Sequence, residues 1–305
     1  MRGELVRVFT EDGLELHGLF SQPKVAKENN IAVLHIHGFT GNFYQERFVT
    51  QIADDLTEMG CAFLTVNTRG HDYLSYFIRK TDSRLAFVQI GGGYEILGHC
   101  IYDIKAWIDL LEARGYFTVI LEAESLGTQK AVLYQHQTHD KRVQGLVLIS
   151  PLDGVGLQKT ALGNKYDEAI NTAKQMIKQG KPNELMPMVY CPLWQFPISA
   201  KTYISAFDPA AKNGIFSFHD PDARFEELST IKCPILATYG TVREAVVDNR
   251  VEEALSIIKK RAVSAERCDT ALIQGAPHNY LGHEKELSTL IRNWVATVFS
   301  TPNRD

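Results

Sequence analysis

Ser125 is the residue around which chemistry can be built. An apolar run from Val119 ends in Ala123-Glu124-Ser125-Leu126-Gly127, and a helical pattern starts at once. A serine between a strand and a helix, with small residues two positions either side, reads as a nucleophile elbow. The turn is so tight there that larger flanking side chains would collide with neighbouring backbone. Gly127 meets that demand and Ala123 meets it with one extra methyl. The same string also suits ordinary helix capping, so its meaning depends on what else the chain supplies.

A neutral hydroxyl is a poor nucleophile, and Ser125 needs a base. His278 is the candidate, because it follows a short apolar run and Gly275-Ala276-Pro277 and lies last in the order Ser, acid, His. His283, five residues on, opens the last helix, where capping or a surface role fits better. His35 alternates with His37 along one strand and reads as a packed, hydrogen-bonded core histidine. No Asp or Cys cluster accompanies it, so neither a metal nor another cofactor is expected. Gly91-Gly92-Gly93 lacks a following Gly-Lys-Ser/Thr and a close preceding strand, and reads as a flexible loop rather than a phosphate cradle.

The elements that must position these residues follow an α/β rhythm. Leu5–Thr10 and Leu14–Phe20 flank the hairpin signal Glu11-Asp12-Gly13. Buried strands are predicted over Ile31–His37, Cys61–Val66, Phe117–Leu121, Val143–Ile149, Pro234–Tyr239 and Ala271–Gln274. Helices are predicted over Tyr44–Met59, Gly98–Leu111, Leu126–Gln137, Val251–Arg261 and Glu284–Val298. From Pro151 to Thr230 the rhythm breaks into polar helical pieces, prolines and a concentration of Met and aromatic residues. Alternation of strand and helix implies a mostly parallel sheet covered by helices, with the aromatic block set over its carboxyl edge.

Composition narrows the function classes. The 305 residues carry a net charge of −4 and no polybasic tract, which argues against nucleic acid or anionic lipid as partners. The first ten residues alternate like a strand, and no stretch is long enough to span a bilayer. Five cysteines, Cys61, Cys100, Cys191, Cys233 and Cys268, never fall in a C-x-x-C spacing, so reduced thiols are expected. A cytoplasmic protein without membrane partners is the resulting expectation.

The chain resembles the α/β-hydrolase superfamily over nearly its whole length. Three motifs carry the resemblance: His37-Gly38-Phe39-Thr40-Gly41 after the third strand, the Ser125 elbow after the fifth, and Gly275-Ala276-Pro277-His278 after the last. Asn67-Thr68-Arg69-Gly70-His71-Asp72 and Ser150-Pro151-Leu152-Asp153 are similar to bacterial and fungal serine esterases, a set that includes feruloyl-esterase-like and siderophore-ester hydrolases. The resemblance implies an α/β-hydrolase core over 1–151 and 231–305, with a helical cap over 152–230 inserted after the sixth strand.

It also implies an aspartate three residues past Gly240, where this chain has Arg243. Three carboxylates remain open for the role. Glu244 is one residue late with a longer reach, Asp153 follows the sixth strand, and Asp248 needs a longer loop excursion and otherwise caps the helix over Val251–Arg261. Glu244 is favoured. Oxyanion donors are expected from the backbone N–H groups of Phe39 and Leu126. Glu124, where related esterases often carry His, could favour a charged His278 if it approaches. Met188, Tyr190, Trp194 and Phe196 are expected to line a pocket for a bulky apolar or aromatic group. The expected partner is therefore a small-molecule carboxylic ester. Acyl transfer, lyase chemistry and binding by a degraded hydrolase pocket are the alternatives, motivated by Arg243 and Glu124.

Overall fold

The computed structural model describes residues 2–25, 30–81, 84–211 and 214–299. The chain begins with an antiparallel hairpin, β1 (Glu4–Phe9) and β2 (Glu15–Ser21), closed at Gly13. Gly13 has φ +81°, a conformation that favours glycine. β3 (Ile31–Ile36) and β4 (Ala62–Val66) are buried at every position. Continuous burial requires helices on both faces of a parallel sheet. β3 shows how period-two side chains divide between those faces. Ala32, Leu34 and Ile36 join one apolar layer, whereas Ile31 and Val33 join the other.

The eight-stranded sheet runs β1-β2-β4-β3-β7-β8-β9-β10, where β7 is Thr118–Glu124, β8 Val143–Ile149, β9 Ile235–Val242 and β10 Cys268–Pro277. All pairings from β4 to β10 are parallel. Helices α1 (Arg47–Glu58) and α9 (Glu284–Phe299) cover one face through Phe48, Ile52, Leu287 and Ile291. Helices α2 (Cys100–Ala113), α3 (Leu126–Thr138) and α8 (Val251–Arg261) cover the other through Ile104, Trp107, Val132 and Ile258. This is the α/β-hydrolase fold, and its strand carboxyl ends converge on the loops that hold the candidate residues. Among the described residues no helix is long and apolar enough to cross a membrane.

Between β8 and β9 lie α4 (Gly154–Leu162), α5 (Tyr166–Lys178), α6 (Ala200–Phe207) and α7 (Glu226–Ser229). Val155, Leu162, Tyr166, Ile170, Tyr203 and Phe207 form an apolar cluster of their own. Ile215, Phe216, Phe225, Leu228 and Ile231 instead join the layer beneath α2, α3 and α8.

One structural unit departs from the sequence expectation. A second hairpin, β5 (Ser75–Lys80) and β6 (Leu85–Ile90), precedes the three glycines directly. Gly91, Gly92 and Gly93 are buried, and their N–H groups donate to Arg69 O, Asp72 O and Tyr73 O. They form a pinned turn, not a flexible loop. Gly91 takes φ +115°, and a Cβ there would meet Tyr73 O at 2.5 Å.

Candidate active site

Ser125 sits between β7 and α3 with φ 53° and ψ −120°, a strained conformation for a non-glycine residue. Such strain costs on the order of 1–3 kcal/mol and is sustained by the surrounding packing. Ser125 N–H donates to Ile149 O at 2.9 Å, tying the turn to the end of β8. A Cβ on Gly127 would collide with Ile36 O, which explains why glycine stands there. Ala123 lies wholly buried in the β3–β7 ladder, where its methyl is accommodated.

The loop after β10 brings His278 to this turn. Ser125 Oγ–H donates to His278 Nε2 at 3.1 Å, and His278 Nδ1–H donates to Glu244 Oε2 at 2.6 Å. Glu244 is buried, and its other oxygen accepts Gly240 N–H at 2.6 Å and Ser150 Oγ–H at 2.9 Å. Arg243 occupies the left-handed region at φ 53° and is exposed. The turn therefore sends Arg243 to solvent and Glu244 inward, and one extra methylene covers the one-residue offset. Burial alone would lower the His278 pKa. The Glu244 bond and the charge of Glu124 outweigh it and hold the imidazole above its ordinary value.

The other two carboxylates are placed elsewhere. Asp153 caps α4 by accepting Gly156 N–H, and it also accepts the N–H and Nδ1–H of His219, each at 2.9 Å. Asp248 lies in a turn at φ 54° ahead of α8 and makes no capping bond to it. His283 bonds Glu286 at the surface. His35 is fully buried and pairs with Glu122 at 3.1 Å.

Phe39 and Leu126 flank Ser125 from two loops. Leu126 is the first residue of α3, so its N–H has no intrahelical acceptor. Phe39 follows Gly38, whose N–H donates to Glu124 Oε2 at 2.8 Å and whose carbonyl accepts His37 Nδ1–H at 2.7 Å. Thr68 N–H donates to His37 Nε2 at 3.0 Å, which fixes the proton of the neutral ring on Nδ1. Burial, with the charge of Lys130, pushes His37 well below the usual histidine range and keeps it neutral.

Residues 16–299 match the family model described as "Protein of unknown function (DUF1749)". The chain belongs to the DUF1749 family. No curated protein sequence matches it. Among solved structures, Est1E from Butyrivibrio proteoclasticus is similar at 19% identity and TM-score 0.67, covering 98% of this chain and 100% of its own. Est1E has also been seen with ferulic acid bound. The Pyrococcus furiosus esterase Pf2001 is similar at 17% identity and TM-score 0.60, over 98% of this chain and 94% of its own. The α/β hydrolase GrgF from Penicillium is similar at 14% identity and TM-score 0.66, over 99% of this chain and 100% of its own. At these identities the likeness establishes the shared fold.

In this DUF1749 chain a narrow, mainly apolar cavity opens beside Phe39 and Leu126 and runs under α6. Leu97, Leu152, Trp194, Ile198 and Phe207 line it, with Glu95 and Gln129 among its few polar neighbours. Of the four side chains expected there, Trp194 lines the cavity and packs on Phe39 at 4.2 Å between ring centres. Phe196 stacks on Phe39 and meets the Tyr73 ring at a tilt of 55°. Met188 is half exposed, and the Tyr190 hydroxyl donates outward to Glu168. Both sit on the short turn Met188–Tyr190, and the Tyr190 hydroxyl is engaged by Glu168 on α5. Residues 191–199 are fastened to the core by Tyr73 Oη–H donating to Pro197 O and Ser199 N–H donating to Gly93 O, each at 2.8 Å.

Three supporting residues went unforeseen. Asn249 accepts Glu244 N–H at 2.7 Å and donates to Thr241 O at 2.9 Å, stapling the acid's turn. Ser150 and Tyr280 form a hydroxyl pair at 3.0 Å beneath Glu244. The available signal was compositional: Ser150 and Asn249 are residue types that favour turns and local side-chain bonds.

Proposed function

We propose that this protein is a serine hydrolase that cleaves a carboxylic ester of a bulky apolar or aromatic substrate. The observation that carries the reading is the continuous hydrogen-bonded line from Ser125 Oγ through His278 to buried Glu244. Ser125 Oγ attacks the acyl carbon as its proton passes to His278 Nε2, and the carbonyl electron pair moves onto oxygen. Phe39 and Leu126 N–H hold that oxyanion, each donor contributing about 3 kcal/mol in acyl transfer. Collapse re-forms the carbonyl and breaks the bond to the alcohol oxygen, which takes the proton from Nε2. Water repeats the sequence on the acyl-enzyme, leaving the free acid and Ser125. Glu244 accepts Nδ1–H throughout and stabilises the imidazolium.

The apolar lining beside Phe39 and Leu126, with Trp194 as a wall, supports an apolar or aromatic character in the group next to the acyl carbon. Segment 152–230 serves in this reading as the cap over that cavity. Est1E's binding of ferulic acid is consistent with an aromatic acyl group on the same fold. The cysteines form no disulfide, and burial pushes Cys233 up to about 12 and Cys268 to about 11, which suits a reducing cytoplasm and inert thiols.

Fluorophosphonate labelling tests the reading directly, with p-nitrophenyl esters of short, long and aromatic acids as substrates in plain buffer. A covalent adduct on Ser125 and turnover without an added acceptor are expected. Turnover only with an alcohol acceptor would move the assignment to acyl transfer, and absence of labelling would overturn it.

A further inference from the structure

Glu124, the residue ahead of Ser125, touches both halves of the site. Its carboxylate is nearly buried, with Oε2 on Gly38 N–H and Oε1 3.8 Å from His278 Nε2. A Cβ on Gly38 would stand 2.6 Å from Oε2 and 2.9 Å from Ser125 Cβ, so the loop lies directly against the elbow. Gly38 is thus held at both ends, its N–H by Glu124 and its carbonyl by His37. The peptide joining Gly38 to Phe39 is trans, and its N–H points opposite its carbonyl. Fixing Gly38 O on one side therefore aims Phe39 N–H toward the other.

We propose that Glu124 is a positioning residue shared by the oxyanion loop and the base. It clamps Gly38, and with it the direction of Phe39 N–H, against Ser125. Its charge also stabilises the imidazolium formed on the Nε2 side of His278, opposite Glu244. The inference rests on the serine hydrolase reading above.

The charged groups facing the imidazole come from three elements: Glu244 after β9, Glu124 at the end of β7, and Glu46 ahead of α1. Behind Glu124, the fully buried His35 on β3 pairs with Glu122 on β7. Burial, with the charge of Glu244 adding to it, holds the Glu124 pKa above its ordinary value; His278, His35 and the Gly38 N–H favour the carboxylate and offset part of that rise.

Glu124→Gln keeps an acceptor for Gly38 N–H and removes the charge, whereas Glu124→Ala removes both. The readouts are the rate of Ser125 labelling by a fluorophosphonate and kcat and KM for a p-nitrophenyl ester, from about pH 5 to 9. For Glu124→Gln the acid limb should fall by about one pH unit, since a nearby negative charge no longer raises the base. For Glu124→Ala the plateau kcat should drop at least about tenfold, with KM within about twofold. Glu124→Gln should recover most of that plateau. A Glu124→Gln limb at the wild-type position overturns the electrostatic role. An Ala plateau equal to the Gln plateau overturns the clamp. If Glu124→Ala does not fold, the Glu124→Gln limb decides alone. A wild type that is not labelled at Ser125 overturns the hydrolase reading instead, so the two failures are distinguishable.

Discussion

The turns after β8 and β9 each bury a carboxylate and each pair it with a histidine. After β9, Glu244 bonds His278, whose far nitrogen accepts from Ser125 Oγ. After β8, Asp153 bonds His219, whose far nitrogen faces Lys159 Nζ at 3.5 Å on α4. The two turns even touch, through Asp153 N–H donating to Ala245 O at 3.1 Å. A buried acid–histidine pair is thus not a base in itself. What lies beyond the second nitrogen decides: a hydroxyl on a strand-to-helix elbow, which becomes a nucleophile when it loses its proton, in one case, and an exposed lysine ammonium in the other.

The hardest way to break the contrast is to remove the hydroxyl. Ser125→Ala should lose about six orders of magnitude in turnover while folding normally, because alanine fits the same turn. His278→Ala should be comparably severe. Near-wild-type turnover by a pure Ser125→Ala preparation ends the comparison.

Next, the two acids can be exchanged for amides. Glu244→Gln should lower kcat by about four orders of magnitude, whereas Asp153→Asn should change it by less than about tenfold. Asp153→Asn should instead lower the melting temperature, because it disturbs an α4 cap worth about 1 kcal/mol and the bonds to His219. A crippled Asp153→Asn with an active Glu244→Gln would reverse the assignment of the two turns.

The pH dependence sharpens it further. Burial opposes the charged imidazole of His278, and Glu244 and Glu124 more than offset it, so the folded-state pKa is raised. The neutral ring is the base, so kcat/KM should rise with pH through a midpoint above the ordinary value of about 6.5. The same shift makes the His278 pairing stabilising below the unfolded-state pKa, and that contribution is lost as pH climbs through the folded one. A kinetic midpoint below 6.5 would contradict this arrangement.

Smaller effects are expected farther out. His283→Ala should leave kcat within about twofold, since its ring bonds Glu286 at the surface. In hydrogen exchange, α4 to α6 should open before β3 and β7, because their apolar cluster is separate from the two layers that enclose the sheet. Equal protection would make that segment part of the main core.

The parts legible in the sequence were those with a local pattern. β3, β7 and β8 are buried on both faces and read as apolar runs, and Ser125 stands where one such run meets a helix. The elbow and the last-loop motif point to Ser125 and His278, while the resemblance leaves Glu244, Asp153 and Asp248 open with Glu244 favoured; the fold brings Ser125, His278 and Glu244 within hydrogen-bond reach. β5 and β6 escaped because exposed Tyr76, Leu85 and Phe87 on the outward side blur the alternation of a half-buried hairpin. Met188 and Tyr190 have the composition of a pocket lining but face outward, since composition does not fix the direction of a side chain. The Gly38–Glu124 bond joins residues 86 apart and has no local trace.

The fastening of residues 191–199 to Tyr73 and Gly93 bears on how a guest gets in. Two hydrogen bonds, each contributing about 1 kcal/mol net, together with the tilted Phe196–Tyr73 contact, hold this stretch against the hairpin side. Trp194 and Phe39 themselves lie in contact, 4.2 Å between ring centres, so a guest reaches the apolar cavity only by parting these rings or from another side.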